Sequence, residues 1–355
     1  MKWNHNIGLF VFSILITISV MGQENIGPDI VEPKPDLGYN PEYVKSYYDD
    51  LCITIPAVVK SSNLIFTNPD GTTLDYRTNM PMNYGIGLDY RWLTMEFTTS
   101  IPGLSNTNPD RGETNSFGFG FGITGRKWWF KNFIEIYDGF HLTNSEVLDE
   151  NWFEYQDEFY HRPDLVTLTY FASLNYGFNN RKFSNVASLW NLEQQKRSQG
   201  SWTIGLSAGI EYMVADSSFV PGSLENEFPN LSGIQGLGAS FVGLNFGYLY
   251  QWVIIDNLSL STALIPGVSI QSASIVRTDG TFESFKNTLG GQGELRLGLN
   301  YSNDRWYGGA TYSGYLISND EYVSSPLNQL FGYTRFYIGY RIKVNRTRKM
   351  KKWFL

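Results

Sequence analysis

From about Leu51 onward, apolar and polar residues alternate with a period of two, the pattern of strands that bury or expose one apolar face. Between Val166 and Phe178 one face carries Val166, Leu168, Tyr170, Ala172, Leu174, Tyr176 and Phe178; the other carries Thr167, Thr169, Phe171, Ser173, Asn175 and Gly177. A strand of this length spans roughly 43 Å, enough to cross an apolar band of about 25 Å at the usual tilt. Trp202 to Tyr212 repeats the pattern, with Trp202, Ile204, Leu206, Ala208, Ile210 and Tyr212 against Thr203, Gly205, Ser207, Gly209 and Glu211. Elsewhere Phe117, Phe119, Phe121 and Ile123 alternate with Gly118, Gly120, Gly122 and Thr124, and Leu295 to Tyr301 alternate with Glu294, Arg296, Gly298 and Asn300. Near the end Phe336, Ile338, Tyr340, Ile342 and Val344 oppose Arg335, Tyr337, Gly339, Arg341 and Lys343.

Alternation alone fits a soluble sandwich, with its charged face in water, or a membrane barrel, with its apolar face in lipid. Strand length and aromatic density favour an all-β, transmembrane antiparallel up-and-down barrel. Short breaks at Arg91-Trp92, Gly125-Arg126-Lys127, Asn179-Asn180-Arg181, Asp256-Asn257 and Asn303-Asp304 read as tight turns at the periplasmic side. Longer connections fall near 102–114, 140–163, 214–236, 271–289 and 318–331. The short–long rhythm slips between Asn179 and Leu237, and Leu51–Thr67 adds one or two strands, so the expected count is 12, with 14 as the alternative.

The ends set the compartment. Residues 1–22 read as a signal peptide, with Lys2, an apolar run from Ile7 to Val20, and Gly22 before the cut. Residues 23–50, with Pro28, Pro33, Pro35 and Pro41, read as an extended periplasmic leader; 51–344 as the barrel; 345–355 as a basic tail. The expected location is the bacterial outer membrane, among its lipids and lipopolysaccharide, reached through the barrel-assembly machinery. Cys52, alone and well past the cut, offers neither a disulfide nor a lipid anchor at a mature N-terminus, and reads as a buried small residue. Formal charge is −7, or −8 once Lys2 leaves with the signal, which argues against nucleic acid as a partner. Aromatic residues at 16% against 17% charged suit a barrel with aromatic girdles better than a soluble domain.

Several local patterns add a resemblance: Tyr43-Val44-Lys45-Ser46-Tyr47 with Asp50-Leu51, Tyr76-Arg77, Asn83-Tyr84-Gly85-Ile86-Gly87, Tyr90-Arg91-Trp92-Leu93 and Gly125-Arg126-Lys127-Trp128. Tyr160-His161-Arg162-Pro163-Asp164, Gln195-Lys196-Arg197-Ser198 with Gly200-Ser201, and Asn303-Asp304-Arg305-Trp306 continue it. Together, over roughly residues 40–344, the chain resembles an uncharacterised family of outer-membrane barrels of Bacteroidota-type bacteria, a domain of unknown function. That resemblance implies the fold and supplies no activity, substrate or catalytic residue; the basic stretch after Val344 departs from it.

Candidate chemistry is sparse. A histidine-based mechanism has only His141 and His161 in the mature chain, and no serine is marked as a nucleophile, so a lipid hydrolase is the minor reading beside a structural rim role for His161. No metal spacing and no cofactor motif are present, and the glycines between Phe117 and Ile123 lie on a strand rather than in a phosphate loop. Asp149, Glu150, Glu154, Asp157 and Glu158, interleaved with Trp152, Phe153, Tyr155, Phe159 and Tyr160, suit calcium or a glycan, or else a solvated loop over the mouth. The expected lumen or rim charges are Asp89, Glu96, Arg126, Glu135, His161, Arg162, Asp164, Glu211, Glu294, Arg296, Asp304, Arg305, Arg335 and Arg341. Mixed signs either plug a narrow barrel or line a channel. The leading expectation is a channel or binding protein for a small or apolar solute; the alternative is a non-enzymatic scaffold of envelope or secretion machinery.

Overall fold

The computed structural model describes residues 38–344 apart from 69, 80–81, 102–103, 106–107 and 320–326; the expected signal, the expected leader up to residue 37 and the basic tail lie outside the described residues. Two short strands, β1 (Val44–Ser46) and β9 (Glu193–Gln195), pair as a separate antiparallel ribbon, and β3 (Thr73–Arg77) is a short accessory strand. The wall comprises twelve others. These are β2 (Asp50–Thr67), β4 (Met82–Tyr90), β5 (Leu93–Ser100), β6 (Asn115–Thr124), β7 (Trp128–Leu142) and β8 (Tyr160–Gly177). After them come β10 (Gln199–Val214), β11 (Ile234–Ile255), β12 (Leu258–Arg277), β13 (Phe282–Ser302), β14 (Trp306–Asn319) and β15 (Leu327–Lys343). Each pairs antiparallel with its chain neighbour, and β15 pairs back onto β2 from Leu330↔Asn63 to Lys343↔Asp50, which closes a twelve-stranded barrel. Among the described residues no helix is long and apolar enough to cross a membrane; the strands make the crossing.

The turns at 91–92, 125–127, 256–257 and 303–305 lie at the end where the wall begins and stops, the periplasmic end by the usual asymmetry of such barrels. Local chemistry explains their tightness. Asn303 Oδ1 accepts the backbone N–H of Arg305 (2.9 Å) and Trp306 (2.8 Å), closing an Asx turn. Two sequence expectations are corrected. The break at Asn179 is no tight turn: residues 178–198 hold α2 (Asn185–Leu189; α1 is Trp152–Tyr155) and β9, which accounts for the slipped rhythm. The long connection expected over 271–289 is instead strand down to Arg277 and from Phe282, because Asp279 Oδ1 caps Thr281 N (2.8 Å) and Gly280 takes φ +85° in a tight turn.

The wall is uneven. β4, β5 and β6 have 9, 8 and 10 residues, against 22, 20 and 21 in β11, β12 and β13. Beyond their outer ends β3 pairs with β2 and with β7, one strand standing in for three. The β7 extension is redirected by a bulge at Gly139, which takes φ +92° and where a Cβ would run into the Glu113 carbonyl.

Faces follow the predicted alternation. Leu206, Val242, Leu244, Leu264, Val268, Ile270 and Leu297 are exposed on the outer surface, whereas their alternates Thr203, Ser207, Asn245 and Ser261 are buried inside. Trp92, Trp128, Trp202, Trp252 and Trp306 are all exposed near the periplasmic turns. Ring contacts such as Trp202–Phe246 (5.1 Å) and Trp306–Tyr340 (4.8 Å) knit them into a girdle at one interface. Leu206→Arg is therefore expected to cost roughly 2–4 kcal/mol of folding stability if the site lies near the midplane. Ser207→Arg will not be the milder change that alternation alone implies. Ser207 Oγ accepts from Gln292 Nε2 (2.8 Å) in a filled interior, so the larger side chain overpacks it. Comparing urea midpoints of the two variants in micelles tests this; an unperturbed Ser207→Arg barrel would mean that the lumen is open.

Candidate functional site

The interior is filled in layers. At the periplasmic end the 178–198 connection folds into the barrel mouth. Val186 and Leu192 pack with Cys52, Tyr307 and Tyr337, and Phe183 packs with Trp129, Leu249, Ala263 and Ile265; Trp190 touches both groups. Polar anchors hold this plug. Arg126 bonds the Glu193 carboxylate, which also accepts from Ser184 Oγ (2.6 Å); burial pushes the Glu193 carboxyl up, and Arg126 and Ser184 pull it back. Arg341, 2% exposed, donates to the carbonyls of Asn191 and Asn303 and to Ser302 Oγ (2.9 Å), and lies over the rings of Tyr47 (3.8 Å) and Tyr307 (4.6 Å). Burial pushes the Tyr47 hydroxyl up to about 12, with Arg341 opposing, so it stays a neutral donor to Gln194 Oε1 (2.9 Å). At the rim Lys45 Nζ meets Asp304 (2.5 Å) and holds its carboxyl below the usual carboxylate range, while Arg305 is exposed.

Above the plug lies a chamber of about 120 Å³, lined by Asp89, Glu96, Lys131, Arg296 and Arg335 and floored by Trp190. Arg335 forms a two-pronged pair with Glu96 (2.9 and 2.6 Å). Lys131 Nζ donates to Glu294 Oε1 (2.6 Å) and Tyr315 Oη (2.7 Å), and Arg296 Nε lies 3.0 Å from the same carboxylate oxygen. Since β7 and β13 are five places apart around the ring of twelve, this pair reaches nearly across the lumen. The glycine face of β6 makes room for such spans: a Cβ on Gly118 would collide with Lys60 Nζ, and one on Gly122 with Thr94 Oγ1. Phe133, Phe171, Phe241 and Tyr315 close the next layer. Lys60 Nζ then faces Glu135 (3.6 Å), whose other oxygen accepts from Tyr137 Oη (2.5 Å); Glu211 is buried nearby.

A hydrophobic cap fills the outer end. The 215–233 connection inserts Phe219, Val220, Leu224, Phe228 and Leu231 against Leu64, Phe66, Leu74, Tyr76 and Ile275. Tyr76 Oη donates to Phe219 O (2.7 Å), and the rings of Phe66 and Phe219 stack at 5.8 Å. Arg162, 3% exposed, is the clamp: it pairs with both oxygens of Asp164 (2.8 and 3.0 Å) and donates to Ser218 O (3.0 Å) and Ser217 Oγ (3.2 Å). His141 and His161 oppose one another across β7–β8. His161 Nε2 lies 3.0 Å from Asp110 O, His141 packs edge-on to Phe159, and among the described residues neither ring bonds a serine, threonine or cysteine side chain. Arg162→Ala should release the cap and cost roughly 2–3 kcal/mol, whereas His161→Ala should change stability by less than about 1 kcal/mol. Thermal unfolding followed by tryptophan fluorescence ranks them; a larger loss for His161 would put the clamp elsewhere.

The structure thus gathers Asp89, Glu96, Glu294, Arg296 and Arg335 around one chamber, puts Glu135 and Glu211 above it, Arg126 and Arg341 in the lower plug, Arg162 and Asp164 in the cap, and Asp304 and Arg305 on the periplasmic rim. Lys60 and Lys131 were missed. The signal for Lys131 was present, two and four residues before the interior-facing Phe133 and Glu135 on one strand.

A closed twelve-stranded barrel with an apolar, aromatic-girdled exterior is an outer-membrane β-barrel protein. The chain belongs to the DUF4421 family, a domain of unknown function, whose model matches residues 35–342. No curated protein matches it in sequence. Among solved structures it is similar to the toluene transporter TodX of Pseudomonas putida, at 7% identity, covering 88% of this chain and 92% of that one with a TM-score of 0.27. It is also similar to OmpT of Vibrio cholerae (8% identity, 82% and 97% covered, TM-score 0.28) and to Ail of Yersinia pestis (12%, 83% and 99%, 0.22). At such scores the likeness carries no information about activity.

Proposed function

We propose that this barrel is a gated binding or transport protein for a small solute, closed at rest by its own segments at both ends. The observation that carries this reading is the charged chamber lying between the plug and the cap, which are anchored by buried side-chain clamps, Arg341 and Arg126–Glu193 below and Arg162–Asp164 above. Clamps of that kind can release without breaking the strand ladder. In planar bilayers the native protein is expected to show no stable openings, and the double change Arg341→Ala with Arg162→Ala, which frees both the plug and the cap, to conduct. A folded double variant that stays silent would overturn the reading in favour of a non-conducting scaffold, which the Lys131–Glu294 pair reaching nearly across the lumen favours.

The same reading has no catalytic role. Purified protein is expected to turn over neither phospholipid nor lipopolysaccharide; turnover abolished by His141→Ala with His161→Ala would make it an enzyme instead. Contact with lipopolysaccharide, insertion by the barrel-assembly machinery and an origin in Bacteroidota-type bacteria belong to this proposal as well.

A further inference from the structure

One aromatic-rich segment plays no part in the lumen. The β7–β8 connection projects from the outer end, and α1 within it forms one wall of a groove of about 450 Å³, whose other wall is Pro221–Ser223 of the cap. That volume falls within the roughly 300–1,000 Å³ typical of small-ligand sites. Both walls are braced before any ligand arrives. The Trp152 indole donates Nε1–H to Glu158 O (2.8 Å) and stands edge-on to Tyr160 (6.1 Å, 83°). The opposite wall is continuous with Phe219, Val220 and Leu224, all buried in the cap core. Between them Tyr155 is 72% exposed, a large ring left in water at the outer surface of the protein.

We infer that this groove binds an uncharged or amino-substituted oligosaccharide outside the cell. Three features of the site select that class. Rigid aromatic rings offer flat apolar faces to the C–H faces of a sugar at little cost in side-chain entropy. Asp149, Gln156, Tyr155 and Tyr160 line the same groove, and their side chains include both donors and acceptors for sugar hydroxyls. Charge then decides among sugars. Residues 149–158 hold five carboxylates and no lysine or arginine, and no cation lines the groove, so its field repels phosphorylated, sulfated and uronic glycans and attracts an ammonium.

The test uses the full chain in a zwitterionic detergent without a sugar headgroup, titrated with maltotetraose, an N-acetylglucosamine tetramer, its deacetylated form and a heparin tetrasaccharide, and read by calorimetry and tryptophan fluorescence. Binding of at least one of the first three, with none by heparin, is expected. Tyr155→Ala should weaken it roughly tenfold or more, and Tyr155→Phe should keep most of it. Because Tyr155 is exposed, the barrel's melting temperature should not move. The inference fails if none of the three binds at millimolar concentration, if heparin binds best, or if Tyr155→Ala and Trp152→Ala both bind as the native chain does. Bilayer conductance, which decides the gating proposal, is unaffected by any of these outcomes.

Discussion

Arg341→Ala should lower the unfolding free energy by on the order of 3 kcal/mol and loosen the periplasmic plug. The guanidinium is almost wholly buried and joins four separate pieces of chain: Tyr47 before the first wall strand, Asn191 in the 178–198 connection, Ser302 and Asn303 at the β13–β14 turn, and Tyr307 on β14. Alanine leaves two carbonyls and a hydroxyl buried without their donor and removes the flat cation held against Tyr47 and Tyr307. Arg341→Lys should recover little, since a point ammonium cannot reach both carbonyls while lying flat on a ring. Denaturant unfolding followed by tryptophan fluorescence measures the loss. Near-native stability of Arg341→Ala would mean that the plug is held elsewhere, with the Arg126–Glu193 pair the next candidate.

The wall of this barrel was legible because a membrane forces every strand to obey one rule. Lipid meets one face along the whole strand, so Leu206, Val242 and Leu264 must be apolar and the period of two survives from end to end. The count of twelve, with fourteen as the alternative, followed from that alternation and from turn chemistry at Arg91-Trp92, Asp256-Asn257 and Asn303-Asp304, whereas the strand rhythm was lost between Asn179 and Leu237, where the plug segment interrupts it. What fills the barrel was legible only in part. Plug and cap residues such as Trp190, Leu192, Phe219 and Phe228 come from connections without any period, and their partners are set by closure of the sheet rather than by neighbours in sequence. Phe171 and Phe133 show the same limit. Each stands at an interior position that alternation assigns to polar residues, and only the assembled ring shows why: they meet Phe241 and Tyr315 across the lumen. The charges Glu96 and Arg335 were recognisable one at a time, but their pairing spans 239 positions of sequence and depends on β15 returning to β2.

Glu294→Gln should be the most damaging single change in the interior, costing roughly 3–5 kcal/mol, with Lys131→Met behind it. Glu294 stands between two cations: Lys131 Nζ at 2.6 Å and Arg296 Nε at 3.0 Å, all three side chains at or below 10% exposure. Removing the carboxylate's charge leaves two buried cations facing one another with only a neutral amide between them, which desolvation makes expensive. Removing Lys131 is less severe, because Arg296 still neutralises Glu294 and the methionine stem fills the volume beside Phe171 and Tyr315, although the Tyr315 hydroxyl loses a donor. The expected order, Glu294→Gln worse than Lys131→Met, is a prediction about charge and not about size, since glutamine and glutamate are nearly isosteric. Urea unfolding of both variants and of the native chain in the same micelles reads the order directly. A reversed order would mean that Lys131 acts by packing under the aromatic belt. Losses below about 1 kcal/mol for both would mean that water fills the chamber deeply enough to screen the triad, and the barrel would then be an aqueous channel with its charges in solvent.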